Sequence, residues 1–241
     1  MKRFAFILLA FSLVSTSCRY IGGKRVRGNG HITTETRTVG EFNSVRAGGA
    51  YNVYVTQDSQ FSVKVEADEN LMEYIDIYTE GDDLFIENKY GYNPRPSRKL
   101  KVYVSAPAYR RISVSGAGDI VGQNQISNHD QLELRVSGAG NVKMDVDAPR
   151  VEVHVSGSGD IALKGKAKDF DASVSGAGNI KCYDMMAEKT DVQISGAGDA
   201  EVFASVQLDA RVSGAGNVKY KGDPPTVNSK TSGAGSIHKV N

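Results

Sequence analysis

The chain has 241 residues, with 29 basic and 28 acidic side chains and a formal charge of +1. No electrostatic footprint for nucleic acid exists at that balance. Glycine is abundant at 26, tryptophan is absent and there are only two cysteines, so neither a disulfide-dense scaffold nor an aromatic-rich core is in prospect.

Residues 1–18 read as an export signal. Lys2 and Arg3 form a charged start, Phe4 to Val14 an apolar run, and Ser15-Thr16-Ser17 small residues before Cys18. Eleven apolar-rich residues are too few to span ~30 Å of hydrocarbon as a helix. The segment resembles a bacterial lipoprotein signal with Cys18 as the lipid attachment site, although Ser15 stands where leucine is usual; an ordinary secretory signal cut nearby is the alternative. Its removal leaves 27 basic and 28 acidic residues, a charge of −1. Cys182 is then alone, and no disulfide can close within the chain. Residues 19–38, basic, glycine-rich and aperiodic at first, are expected to be a flexible tether to the membrane.

Alternation begins in residues 39–107, expected to form irregular N-terminal coils. Val45, Ala47, Tyr51, Val53 and Val55 share one parity, and Phe61, Val63 and Val65 repeat the pattern. So do Ile75 with Ile77, Leu84 with Ile86, and Leu100, Val102 and Val104. A helical turn near 68–74 is the only helix candidate. Residues 88–99 hold two tyrosines, two prolines and four basic residues without periodicity, which predicts a protruding loop. Tyr90, Tyr92, Arg95 and Arg98 are its candidate binding residues, because rigid aromatics and arginine contribute most contact energy per residue.

From 108 to 241 the chain repeats. Ser115-Gly116-Ala117-Gly118-Asp119 returns at Ser137, Ser156, Ser175, Ser195, Ser213 and Ser232, at intervals of 22, 19, 19, 20, 18 and 19 residues. A fixed period near 20 is the mark of a solenoid whose coils bury their apolar faces only by stacking. Within one coil Val151, Val153, Val155, Gly157, Gly159, Ile161 and Leu163 share a face. A slip of one residue would turn every one of them outward, so the register is strongly set. The two glycines fall on the inward parity, where the chain either bends or is closely approached. The predicted fold is all-β: a right-handed parallel β-helix of about 19-residue coils, the hand following from parallel-crossover chirality.

Outward, the refrain lays down columns. One reads Asp119, Asn141, Asp160, Asn179, Asp199, Asn217, Ser236. Carboxylates ~4.8 Å apart on adjacent coils would repel, whereas a carboxylate between amides accepts their hydrogen bonds. The six Asx residues are therefore expected to form a structural ladder and a flat contact face. Asp119, Asp160 and Asp199 sit in identical settings, so nothing separates them into acid and base. The period and half-Asn composition also differ from calcium-binding nonapeptide repeats. His31, His129, His154 and His238 are scattered without zinc-ligand spacing, and no cofactor is expected.

The lipoprotein-like start, Phe42-Asn43-Ser44-Val45, Gly81-Asp82-Asp83-Leu84-Phe85-Ile86, Leu100 to Pro107 and the repeats opening at Ile112 together resemble a bacterial envelope family. It is the auto-transporter adhesin, head GIN domain family, and the resemblance covers about residues 39–240. It implies a right-handed parallel β-helix and supplies no catalytic residues. The expected function is a non-catalytic envelope lipoprotein, adhesin-like, binding or scaffolding. Its expected partners are the outer membrane through the lipid, an envelope glycan or protein, and further copies of itself through the last coil. A carbohydrate-active β-helix enzyme is the alternative.

Overall fold

The computed structural model describes residues 23–241; the export signal and Cys18 lie outside the described residues. The chain forms an all-β solenoid of about six turns, in which each repeat contributes strands to two long parallel ladders. One ladder runs Asp83–Asn88, Ser44–Gly49, Arg111–Gly116, Gln131–Gly138, Arg150–Gly157, residues 169–174, residues 189–196, Gln207–Gly214 and Thr226–Gly233. The other runs Leu100–Ala106, Tyr51–Gln57, Ile120–Ser127, Val142–Asp147, the first halves of Ile161–Val174 and Ile180–Gly196, then Ala200–Phe203, Asn217–Lys221 and Ser236–Lys239.

The inward parity fills the tube. Val151, Val153, Val155, Ile161, Phe170, Val174, Ile180 and Cys182 are all buried, whereas in the last coil Val227 is exposed and Ile237 half-buried. In each refrain the serine and the alanine (Ser158 in one) are exposed, and the second glycine is buried in all but the last, where Gly235 is half-buried. Both readings of the glycines hold, with one change. The first bends the chain, at φ between 123° and 156° from Gly116 to Gly233, a region L side chains avoid. The close approach comes from the adjacent coil rather than the opposite wall. A Cβ on Gly178 would stand 2.1 Å from the carbonyl oxygen of Gly159.

The N-terminal end departs from a simple winding order. Ser44–Gly49 and Tyr51–Gln57 stack directly under the first regular coil, while Asp83–Asn88 and Leu100–Ala106 lie outside them. The chain therefore lays down an inner coil, builds the end beyond it, and returns. Antiparallel strands finish that end: Ser62–Asp68 on Leu100–Ala106, Ile32–Arg37 on Ser62–Asp68, and Ile75–Glu80 on Asp83–Asn88. The helical turn is a 3₁₀ segment, Glu69–Tyr74.

Two expectations for this region are corrected. Residues 23–37, assigned to the tether, are ordered structure. Lys24–Arg27 pairs in parallel with Tyr92–Arg95, and Ile32–Arg37 joins the main sheet. The expected loop at 88–99 is correspondingly part strand. Four residues of Lys-Arg-Val-Arg are too few and too basic to show alternation, and all but Val26 are exposed. Asp68 holds the arrangement. Its buried carboxylate accepts from the Gly30 N–H (2.7 Å), the Ser97 N–H (2.9 Å) and the Ser97 hydroxyl (2.6 Å).

Candidate functional site

The Asx column stacks coil upon coil. Asn141 donates its side-chain N–H to Asp119 (2.8 Å), Asn179 to Asp160 (2.9 Å) and Asn217 to Asp199 (2.9 Å). In the alternate steps the Asp160 and Asp199 backbone N–H groups donate to Asn141 and Asn179, both at 3.1 Å, and Ser236 donates to Asn217. Each side-chain oxygen thus satisfies the backbone of the next coil. Burial tends to raise the Asp160 carboxyl, but bonds from Lys181 and Asn179 outweigh it and hold it below its ordinary value. Serine and alanine columns beside the ladder line the bend between the two parallel ladders with short side chains.

A second column escaped the sequence reading. Glu133, Glu152, Asp171, Asp191 and Asp209 occupy one register position on five successive coils. Here the repulsion that the Asx ladder avoids is met by countercharges. Arg111 and Arg135 both hold Glu133, Arg150 bridges Glu152 (2.8 Å) and Asp171 (2.6 Å), and Arg211 takes Asp191 (3.0 Å). Compensation is uneven. Glu133, despite burial that pushes upward, is held low by its two arginines. Asp171 is raised by burial and by Glu152, Asp191 and Asp169, with Arg150 opposing. The column was legible in principle as Glu/Asp four residues before five of the seven refrain serines, but its members vary between Glu and Asp.

His154 lies in the next outward column, beside that acidic row. Its Nε2 is 3.9 Å from both Glu133 and Glu152, and its Nδ1 is 2.7 Å from the Ser173 hydroxyl, which donates to the Val153 carbonyl. These three side chains are the one group among the described residues with metal-ligand proximity. Both carboxylates are already committed to arginines, so the cluster is an ion-pair network.

The tyrosine-arginine segment is split by its strand. Tyr90 is fully exposed, Arg95 and Arg98 are exposed, and Tyr92 is half-buried with its ring 4.6 Å from that of Tyr74. Other aromatics pair along the stack: Tyr54 with Tyr103 and Tyr78 with Phe85, each 5.1 Å between centroids. Cys182 is buried, its thiol pushed up to about 12 by desolvation, which leaves it without nucleophilic character.

Three crystal structures share the fold. A putative adhesin from Bacteroides fragilis is 26% identical, covers 89% of this chain and 100% of its own, and superposes with a TM-score of 0.83. A putative lipid binding protein from Parabacteroides distasonis is 25% identical over 90% of this chain and all of its own, with a TM-score of 0.76. A putative adhesin from the same organism is 27% identical with the same coverages and a TM-score of 0.72. No curated protein matches the chain. The model of one family, described as putative auto-transporter adhesin, head GIN domain, matches residues 41–224, and the chain belongs to that family.

Proposed function

We propose that this protein is a non-catalytic, adhesin-like binding protein of the bacterial cell envelope, anchored to the outer membrane through a lipid on Cys18. The observation that carries the reading is the outer surface of short side chains ruled by the Ser, Ala and Asx columns. Short side chains on a hydrogen-bonded ladder present a preorganised surface that a flat partner can approach closely at small entropic cost. The names of two solved relatives support adhesion, and a third is named a putative lipid binding protein. Against a glycan hydrolase or lyase, the three ladder carboxylates each accept from an asparagine of the next coil, and Asp160 is held low rather than raised as a general acid would be.

Cell adherence combined with a sugar-release assay tests this. Adherence of expressing bacteria should fall when the exposed Ala139 and Ala177 are both changed to Gln, which roughens the face without touching the core. No sugar should be released by either form. Release of reducing ends, or adherence indifferent to these changes, would overturn the reading.

A further inference from the structure

The unequal coil lengths build a trough. In the 22-residue coil that begins at Ser115, four steps separate Val121 from Gln125 where the next coil takes two between Lys143 and Asp145. In the 20-residue coil that begins at Ser175, three steps separate Lys181 from Asp184 where its neighbour takes two between Ala162 and Lys164. Between these bulged coils lie two coils of 19 residues. The result is a concavity of about 460 Å³, walled by Gln123–Gln125 on one side and Lys181 and Asp184 on the other, over Met144, Ala162 and Leu163. Bulges that aim side chains and leave a recess commonly accompany function.

The wall is braced. Asn124 donates to the Gln57 carbonyl (2.8 Å) and accepts from the Gln57 N–H (2.9 Å), while the Gln57 side chain bonds both the N–H and the carbonyl of Ser127. The bulge is thereby fixed at both ends before any ligand arrives. The polar groups of the trough are of two kinds. Lys164 is paired with Asp145 (3.3 Å) and Lys181 with Asp160 (2.6 Å), whereas Lys143 and Asp184 are exposed and form no ion pair among the described residues. Lys143 and Lys181 share one column with Ala162 between them, so two cations flank a small side chain about 10 Å apart.

We infer that this trough binds an acidic oligosaccharide, one carboxylate of which meets Lys143 while ring hydroxyls meet Asp184 and Gln123. A sugar ring fits over Ala162, where a larger side chain would block it. A bare phosphate lacks the hydroxyls for Asp184, and an acyl chain finds too little apolar area, since Met144 and Leu163 are 3% and 4% exposed. The inference rests on the binding-protein reading and specifies one of its ligands, at a site beside the Asx column and joined to it by the Lys181–Asp160 pair.

Calorimetry and amide-resolved NMR on the purified chain test it, with trigalacturonate and a hyaluronate tetrasaccharide as probes. The fully methyl-esterified trigalacturonate is the neutral control. Saturable binding of at least one acidic probe is expected, with shifts confined to residues 121–125, 143–145, 162–164 and 181–184. The ester should bind at least tenfold more weakly, Lys143→Gln should weaken binding several-fold, and Ala162→Trp should weaken it about tenfold or more. Unchanged amide dispersion would show that both variants fold. Failure of both acidic probes, equal affinity for the ester, or indifference to Ala162→Trp would each overturn the trough. Adherence retained alongside any of those results would leave the adhesive reading intact; acid-specific binding in a protein that mediates no adherence would do the reverse.

Discussion

Replacing the three amides of the Asx ladder with carboxylates (Asn141→Asp, Asn179→Asp and Asn217→Asp together) is the most direct challenge to the stacking argument. Each amide donates to a carboxylate at 2.8–2.9 Å. Losing a hydrogen bond to a charged group costs about 1.5–3 kcal/mol in a buried setting and less where water enters. The new carboxylate also faces acids one coil above and below in two of the three cases, and in the third it faces one acid, Asp199, with the neutral Ser236 on its other side. For these partly exposed positions about 1–2 kcal/mol per site is reasonable. The sites are two coils, ~10 Å, apart, so the effects add to about 3–6 kcal/mol. At 2–4 °C per kcal/mol for a chain of this size, the melting temperature at pH 7 should drop by about 6–24 °C. The sign with pH follows from linkage. The introduced carboxyls have folded pKa values above their unfolded values, so the deficit exists at neutral pH and disappears as pH falls below about 4. Wild-type Asp160 runs the other way: its stabilisation is present above the unfolded value and is lost as pH falls through its lowered folded value. Scanning calorimetry at pH 7 and pH 3.5 should therefore show two curves far apart, then close together. Equal melting temperatures at pH 7 would refute the ladder as a stabilising device.

In the acidic column, Asp171→Asn should raise stability slightly, by about 0.5 kcal/mol given its partial exposure and its lost bond to Arg150. Because the Asp171 carboxyl is raised, the gain should be present at pH 7 and absent at pH 3, by thermal denaturation. Gly178→Ala should cost about 4 kcal/mol or more, since its Cβ would meet a backbone carbonyl that the stacked ladder cannot move; Ala177→Ser next to it should be near neutral in guanidinium melts. In a Cys18→Ser background, Cys182 should resist a thiol reagent in the native state and react fully when unfolded. Asp68→Ala should release residues 23–30, read out as new tryptic cleavage at Lys24 to Arg27 while the repeats stay protected.

What the sequence made legible is what repetition amplifies. Valine parity around each Ser-Gly-Ala-Gly unit set the register of seven coils, because one slip would expose every apolar side chain at once. The Asp/Asn alternation could be read for the same reason. At the N-terminal end the pairings are made once, between segments distant in sequence. Lys24 meets Tyr92 and Ser44 meets both Asp83 and Arg111. A strand like Lys24–Arg27 takes its order from Asp68 and Ser97, forty and seventy residues away, and local alternation carries no trace of that. The acidic column was hidden differently. Glu133 and Asp171 are equivalent in position but not in identity, so the constant is a charge at an offset rather than a repeated word.

The two columns also explain why the molecule has chemically distinct sides. Along a parallel stack every outward position is repeated each ~4.8 Å, so any charge placed in the repeat becomes a row of charges. Dilution with amides gives the Asx face, where Asp119, Asp160 and Asp199 are separated and the side chains stay short. Compensation gives the other, where long arginines must arch over Glu133, Glu152, Asp171 and Asp191. A face of the second kind is rough, and its rotamer-rich side chains lose entropy when a partner orders them. Close docking of an extended surface is thus favoured on the amide-diluted side. Coil length adds a third kind of surface, because only an inserted residue can break the uniformity that stacking imposes. The departures from 19 near Val121 and Lys181 are where this solenoid can recognise something smaller than itself.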